Sequence, residues 1–419
     1  MDALSFLSSL DMMSIVLLFW YTTLLEIPRY AIGAIVVPTV MLWSRRMIID
    51  PDLSVSVVLV GHNEEKPLRT CIESLAEQTI ISKCRRMQTV VVDDGSTDRM
   101  NEIAKCLQRE GKIDQVLRLE HRGGKSAGVN LALSVCTGDI IVISDIDTTF
   151  DRTALAELLS YFSDPRVGAV SGNLGVRNAS ASLITRFQAI EYAIGLSLGR
   201  CVADAFGTLS VISGAFGAFR RAAIESVGRQ DVEVGEDADL TMKLRRAGWQ
   251  LHFAPEANAL TDVPETISAF IAQRLRWDRG LITVWARKFR GALDPGLSTF
   301  RIVDAVTVLD VIFFQIVLAM AFPIYLVWLC YYFGGFAATI VGATFLGYAL
   351  LDLVVFIAAA MVGIRTPLWL TLYLPIYTVL QILLVRTVRL IAIVQELIFR
   401  SSYRDPYVPR RVMSQAEVV

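Results

Sequence analysis

Charge is scarce in this chain. Only 19% of its 419 residues are Asp, Glu, Lys or Arg, against about a quarter in an average soluble domain, while 54% are hydrophobic. That balance points to a membrane protein. The net charge of −1 offers no basic excess to a polyanion, so nucleic acid is not expected as a partner. Histidine is nearly missing, with three in all, and the six cysteines (Cys71, Cys84, Cys106, Cys136, Cys201 and Cys330) form no C-x-x-C pair and no metal-ligand spacing with them. The expectation is free thiols in a reducing compartment. A phosphate loop of the form G-x-x-x-x-G-K-[ST] is also missing, because the glycines of "HRGGKSAGVNLAL" have a different spacing. The chain begins with neither a basic stretch nor a small-residue cleavage site, so a removable signal peptide is not expected.

The apolar excess is unevenly placed. "MMSIVLLFWYTTLLEIPRYAIGAIVVPTVMLW" is broken near its middle by Glu26, Pro28 and Arg29. A span needs about 20 apolar residues, so the stretch is either one long crossing or, the preferred reading, two short ones turning at 26–29. Ser44-Arg45-Arg46 would then lie on the cytoplasmic side. Past Arg301 come three apolar stretches, 303–333, 336–362 and 367–399, separated by Gly334-Gly335 and by Arg365-Thr366-Pro367. Three simple crossings would put the basic "RDPYVPRR" outside, against the positive-inside rule. The third stretch, with Arg386 and Arg389 one turn apart, therefore either ends early as an interfacial helix or is re-entrant. Those two arginines either snorkel to lipid phosphates or line a path through the bundle.

Between the flanks the sequence reads as soluble. "LSVSVVLVGHNEE", "MQTVVVDDGSTD" and "GDIIVISDIDTTF" are β-branched runs ending in acids, and each is followed by a helical pattern such as "PLRTCIESLAEQ". This alternation predicts an α/β, Rossmann-like, mostly parallel sheet with helices on both faces. Ligands of such sheets bind beyond the carboxyl ends of the strands, where the acids fall. Asp93 and Asp94 either accept hydrogen bonds from a base and a ribose or simply open a turn. Asp145 and Asp147, two apart, can reach one divalent cation, Mg²⁺ or Mn²⁺, from a strand end. Lys125 after Gly123-Gly124 can meet a phosphate. Ahead of an amphipathic helix, the acids of Gly235-Glu236-Asp237 suit either an N-cap or a general base. In "QRLRWDRG" a tryptophan stands inside three arginines and one carboxylate.

In this order, "GHNEE", "VVDDGSTD", "GGKSAGVN", "SDID", "SGAFGAFRR", "GED" and "QRLRW" resemble the membrane-embedded, processive family 2 glycosyltransferases that include cellulose, chitin and hyaluronan synthases. The resemblance implies a cytoplasmic GT-A catalytic domain at 49–265, combined with an α-helical transmembrane bundle of a multi-pass inner or plasma membrane protein. N-terminal segments at 1–48, interfacial helices at 266–302, a membrane region at 303–399 and a basic cytoplasmic tail at 400–419 complete the expected layout. The implied donor is UDP-glucose or UDP-N-acetylglucosamine, transferred with inversion onto a growing polysaccharide that leaves through the bilayer. Periplasmic or outer-membrane export subunits are candidate partners, and addition of one sugar to a lipid carrier is the alternative activity.

By the same resemblance Asp93 and Asp94 would contact uridine, and Asp145 and Asp147 would hold metal and diphosphate, with Asp147 the direct ligand. Lys125, Gln273 and Arg276 would bind the donor, with Arg276 at its diphosphate. Asp237 would be the base, while Trp277, Ser213, Gly214 and Glu236 would meet the acceptor. Arg274 and Arg279 also admit a lipid headgroup reading. The chain departs from the family at His62, often tyrosine there, and at Gly235, often threonine. No R-x-x-x-R cyclic-dinucleotide domain is expected after the last apolar stretch.

Overall fold

In the computed structural model the β-branched runs form one sheet. Residues 53–404 are described apart from 82–85, 298–299 and 365, as are residues 11–20 and, near the N-terminus, 5, 9, 27–28, 31–33, 35 and 39. The question of one or two N-terminal crossings, Ser44-Arg45-Arg46, Cys84 and the tail beyond 404 therefore lie outside the described residues.

Strands β1 (Ser54–Gly61), β2 (Arg86–Asp93) and β4 (Ile140–Asp145) are buried almost throughout, as strands covered on both faces must be. β1 pairs in parallel with β2 on one side and β4 on the other, and β2 pairs in parallel with β3 (Gln115–Arg118). Beyond β4 the sheet continues with β7 (Phe216–Arg220), β6 (Val167–Val176), β8 (Gln250–Thr261) and the edge strand β5 (Thr149–Phe150). The β4–β7, β7–β6 and β8–β5 pairs are antiparallel, and the β6–β8 pair is parallel. One apolar core lies between the sheet and helices Leu68–Ala76, Met100–Arg109 and Ala154–Leu159; the other lies under Lys125–Leu133 and Leu183–Glu191. The expected α/β, mostly parallel architecture is present.

The sheet order creates the site. Because β1 sends its successors to opposite sides, a crevice opens at its carboxyl end, where the register sets Gly61 opposite Asp93 and Val60 opposite Asp145.

Two helical stretches, Ile302–Ala359 and Leu368–Phe399, are long and apolar enough to cross a membrane. The first has 58 residues, which at about 1.5 Å each would far exceed a hydrocarbon core of about 30 Å. It folds back at the expected Gly334-Gly335: Gly334, at φ 48°, ends Leu318–Phe333, and Leu329 packs on Ala337 and Ile340 across the turn. Ile324, Val327, Leu346, Leu350, Leu397 and Ile398 are exposed, an apolar surface that suits a lipid surrounding.

The third apolar stretch is not one uniform rod. It runs as Leu368–Tyr373, Leu374–Leu380, Gln381–Val385 and Arg386–Phe399, alternating 3₁₀, α, π and α turns. Arg389 donates to Asp278 at 3.0 Å, so it serves the protein interior rather than lipid phosphate, and the Arg386 guanidinium lies over the Phe322 ring at 4.8 Å.

Candidate active site

The end of β2 builds a loop before it offers a ligand anything. The buried Asp93 carboxylate accepts from the Ser96 backbone N–H at 2.8 Å and lies 3.3 Å from the Arg118 guanidinium. Asp94 accepts from the N–H groups of Gly123 and Gly124 at 2.6 and 3.0 Å. Gly124 sits at φ 84°, a left-handed value natural only to glycine, and starts helix Lys125–Leu133. Both acids therefore shape the turn, and Asp94 ties β2 to the glycine loop. His62 Nδ1 is 2.9 Å from the Asp94 carbonyl oxygen, a polar contact within this loop.

Lys125 does not wait free for a phosphate: its ammonium donates to Asp145 and, at 2.7 Å, to the Gly214 carbonyl. Burial opposes its charge, but Asp145, Glu236 and Asp237 together raise its pKa. A Cβ added to Gly214 would stand 3.3 Å from the Lys125 nitrogen and 3.7 Å from the Asp237 Cβ, so glycine permits this convergence. The Ser213 N–H donates to Ser171 Oγ at 3.2 Å. Asp147 accepts from the hydroxyls of Thr261 and Thr148 at 3.2 and 3.3 Å, and Arg177 donates to its carbonyl oxygen.

Burial, then the neighbouring Asp145, push the Asp147 carboxyl up to about 6. Glu64, absent from the expected site, is pushed to about 7 by burial, then by Asp147 and Asp145. Three mutually repelling acids with hard oxygen donors fit a divalent cation. A tighter carboxylate group, Asp231, Glu233 and Asp239, has ligand atoms within 4.8 Å of one another. There, however, Lys288 lies 2.6–2.7 Å from all three and Lys243 reaches Asp231 and Asp239, so two ammonium groups already compensate it.

Helix Glu236–Arg246 begins at Gly235, φ 87°, with no side-chain cap, which removes the N-cap reading of the acids. A Cβ on Gly235 would stand 3.2 Å from the Gly280 Cα; the departure from threonine follows from that backbone approach and the positive φ. The Asp237 carboxylate accepts only from the adjacent Ala238 N–H, at 2.8 Å, among the described hydrogen bonds, while its carbonyl oxygen accepts from the Thr241 hydroxyl at 2.6 Å. Arg200, also missed from sequence, is pressed down to about 10 by burial and feels the charges of Asp237 and Tyr192, while donating to Ser171 at 3.3 Å. Nothing in a run such as "LGRCVADA" marks such a residue. Glu64 had a signal, an acid just after a strand end, but only the sheet order aims it at Asp145 and Asp147.

Helix Ile267–Leu281 carries the Q-x-x-R-W residues. Gln273 Oε1 is buried without a hydrogen-bond partner, an acceptor suited to a ligand donor, and Arg276 acts electrostatically on Glu236. Trp277 is 38% exposed. The lipid headgroup reading fails for Arg274, which is buried, bonded to both oxygens of Glu191 at 3.0 and 2.5 Å, and stacked 4.3 Å from the Trp277 ring centre. Arg279 donates to the Leu275 carbonyl at 3.1 Å.

Glu236 is lifted from its ordinary 4.5 to about 7 by burial, then by Asp237, with Lys125 and Arg276 opposing. The unfolded chain thus loses this proton at lower pH than the folded one, so ionisation costs folding stability as pH rises through that window. Glu236→Gln is expected to gain thermal stability relative to the parent between pH 5 and pH 8. Parallel melting curves across that range would show no such crossover if the carboxyl were unperturbed.

These features define a mixed, mostly parallel α/β sheet with an acid-lined crevice at the carboxyl ends of its strands. Residues 56–228 match the family model Glycosyl transferase family 2. Similar proteins include an N-acetylglucosaminyltransferase of Rhizobium meliloti (strain 1021), 29% identical over 265 residues, which are 60% of this chain and 61% of that protein. Another is a poly-beta-1,6-N-acetyl-D-glucosamine synthase of Staphylococcus aureus (strain COL), 28% identical over 276 residues, 64% of this chain and 66% of that one. The chain thus matches just under two thirds of their length. In fold it is similar to the mannosyltransferase PcManGT of Pyrobaculum calidifontis, solved with GDP-Man and Mn²⁺, with TM-score 0.61, 21% identity, and coverage of 82% of this chain and 97% of that one. The shared fold is a GT-A-like mixed sheet followed by long apolar helices.

Proposed function

We propose that this protein is a processive, inverting glycosyltransferase that polymerises N-acetylglucosamine from UDP-N-acetylglucosamine into a β-linked glycan and passes it through the membrane. In this reading 49–265 is the cytoplasmic catalytic unit, 266–302 the membrane-surface helices and 303–399, with 1–48, the membrane bundle. The observation that carries it is the convergence of Lys125, Asp145, Gly214 and Asp237 in the crevice beyond β1, beside the Q-x-x-R-W helix. The choice of N-acetylglucosamine over glucose rests on the similarity to the two N-acetylglucosamine enzymes.

The chemistry asks little of any one residue. Asp93 and Asp94 shape the uridine end of the pocket. Asp147, with Asp145, would hold a divalent cation that neutralises charge on the leaving diphosphate. Lys125 can pass from Asp145 to a phosphate oxygen when donor arrives, and Arg276 adds a forked donor on the same side. Asp237 takes the proton of the acceptor hydroxyl as that oxygen attacks the anomeric carbon and the bond to diphosphate breaks, inverting the centre. Arg200 lies within electrostatic reach of Asp237, and Trp277 offers its face to the acceptor ring.

The test is radiolabel transfer by the full-length protein in nanodiscs, given UDP-N-acetylglucosamine or UDP-glucose separately with Mg²⁺ or Mn²⁺, and products sized by chromatography. Long polymer from the first donor alone is expected. EDTA is expected to abolish incorporation, and added Mn²⁺ or Mg²⁺ to restore it. A lipid carrying a single sugar would replace the processive reading with the lipid-carrier one.

A further inference from the structure

Trp277 does not stand alone. The residue is 38% exposed, yet the Arg274 guanidinium lies 4.3 Å from its ring centre and 4.9 Å from that of Phe270. That guanidinium is held in plane by Glu191, whose two oxygens accept from Nη1 and Nη2 at 3.0 and 2.5 Å. Glu191 ends helix Leu183–Glu191 in the α/β unit, where the backbone widens into a π stretch, Tyr192–Leu198. On the other flank Asp278 is held by Arg389, from the last apolar helix. The tryptophan is thus fixed between the α/β unit and the apolar helices.

A buried ion pair contributes little net stability, since desolvation offsets most of its attraction. The forked geometry does something else, because a guanidinium gripped at both ends is a flat, rigid plate on which an aromatic ring can stack. We propose that the buried Arg274–Glu191 pair is a positioning device that sets the tilt of Trp277 and thereby the affinity for the acceptor end of the glycan. This rests on the reading of Trp277 as the acceptor platform. Arg274 touches neither donor nor reacting atoms; it acts through the indole. Lysine could keep the charge but not the plate.

The experiment uses the full-length protein in nanodiscs with a short β-linked N-acetylglucosamine oligosaccharide. Calorimetry measures oligosaccharide binding, and initial rates give KM for oligosaccharide and for UDP-N-acetylglucosamine separately. Arg274→Lys and Glu191→Gln are expected to weaken oligosaccharide binding about tenfold, the scale of a lost desolvated cation–π contact, with the donor KM unchanged and shorter products. The double variant Arg274→Met/Glu191→Leu, which removes both charges together, checks folding through its melting midpoint and should show the same acceptor defect while staying folded. Unchanged oligosaccharide binding in all three variants overturns the proposal, as does a parallel loss of donor and acceptor affinity with a lowered midpoint. Absence of any oligosaccharide binding by the parent also overturns it. Failure of the parent to transfer sugar from UDP-N-acetylglucosamine, with oligosaccharide binding intact, would instead count against the functional reading.

Discussion

Asp237→Asn is expected to reduce sugar transfer by about 10²–10⁴-fold, the usual contribution of a positioned general base. Asparagine has the same shape and can still accept the Ala238 N–H that Asp237 accepts at 2.8 Å, so the helix start should survive. The loop that Asp94 closes on Gly123 and Gly124 is untouched, and UDP affinity should stay near that of the parent. Loss of turnover with retained nucleotide binding, measured by transfer assay and calorimetry on one preparation, is the expected pair of results. Retained turnover would pass the role to the neighbouring Glu236, whose carboxyl, raised to about 7, is also poised to exchange a proton near neutrality. Loss of both properties would mean that the substitution disturbs the crevice itself.

The second large effect concerns stability. Arg245, on the helix that carries Asp237, lies 3.2 Å from Asp304 at the start of the first apolar helix, with side-chain exposures of only 6% and 2%. It also donates to the carbonyls of Leu209 and Gly207 at 3.1 and 3.0 Å and to the Thr307 hydroxyl at 3.1 Å. Arg245→Met would leave Asp304 buried without its counter-charge, a change that costs about 3–5 kcal/mol where it has been measured. A markedly lower melting midpoint in detergent is expected, with much of it recovered in Arg245→Met/Asp304→Leu, because an apolar replacement removes the stranded charge. An unchanged midpoint in the single variant would mean that water reaches Asp304.

The contrast between these residues shows what could be read in advance. Asp93, Asp94, Asp145, Asp147 and Asp237 stand at strand ends or a helix start, where the local pattern announces them. Arg200, Glu191 and Arg245 announce nothing, and Glu64, though an acid just after a strand end, does not reveal which acids it will meet. Their partners lie far away in the chain, as with Arg274 and Glu191, 83 residues apart, and burial turns an ordinary charge into a placed one only after the sheet has ordered itself. Alternatives left open by the sequence closed for the same reason. An acid at a helix start can cap it, but the positive φ of Gly235 and its contact with Gly280 set the helix entry instead. An arginine on an amphipathic helix can face lipid, but Arg274 found Glu191.

Already legible along the chain are the continuous β-branched runs, the acids that end them, the glycines that permit tight turns and the apolar stretches long enough for a bilayer. All of these are local properties, because backbone sterics and hydrophobic periodicity act over a few residues. That Lys125 rests on Asp145, that Glu64 joins the acids, and that Trp277 lies on an arginine clamped by the α/β unit follows from the assembled fold alone. Those contacts join segments distant in sequence, and they exist only where the sheet order and the return of the last apolar helix bring the segments within hydrogen-bond reach.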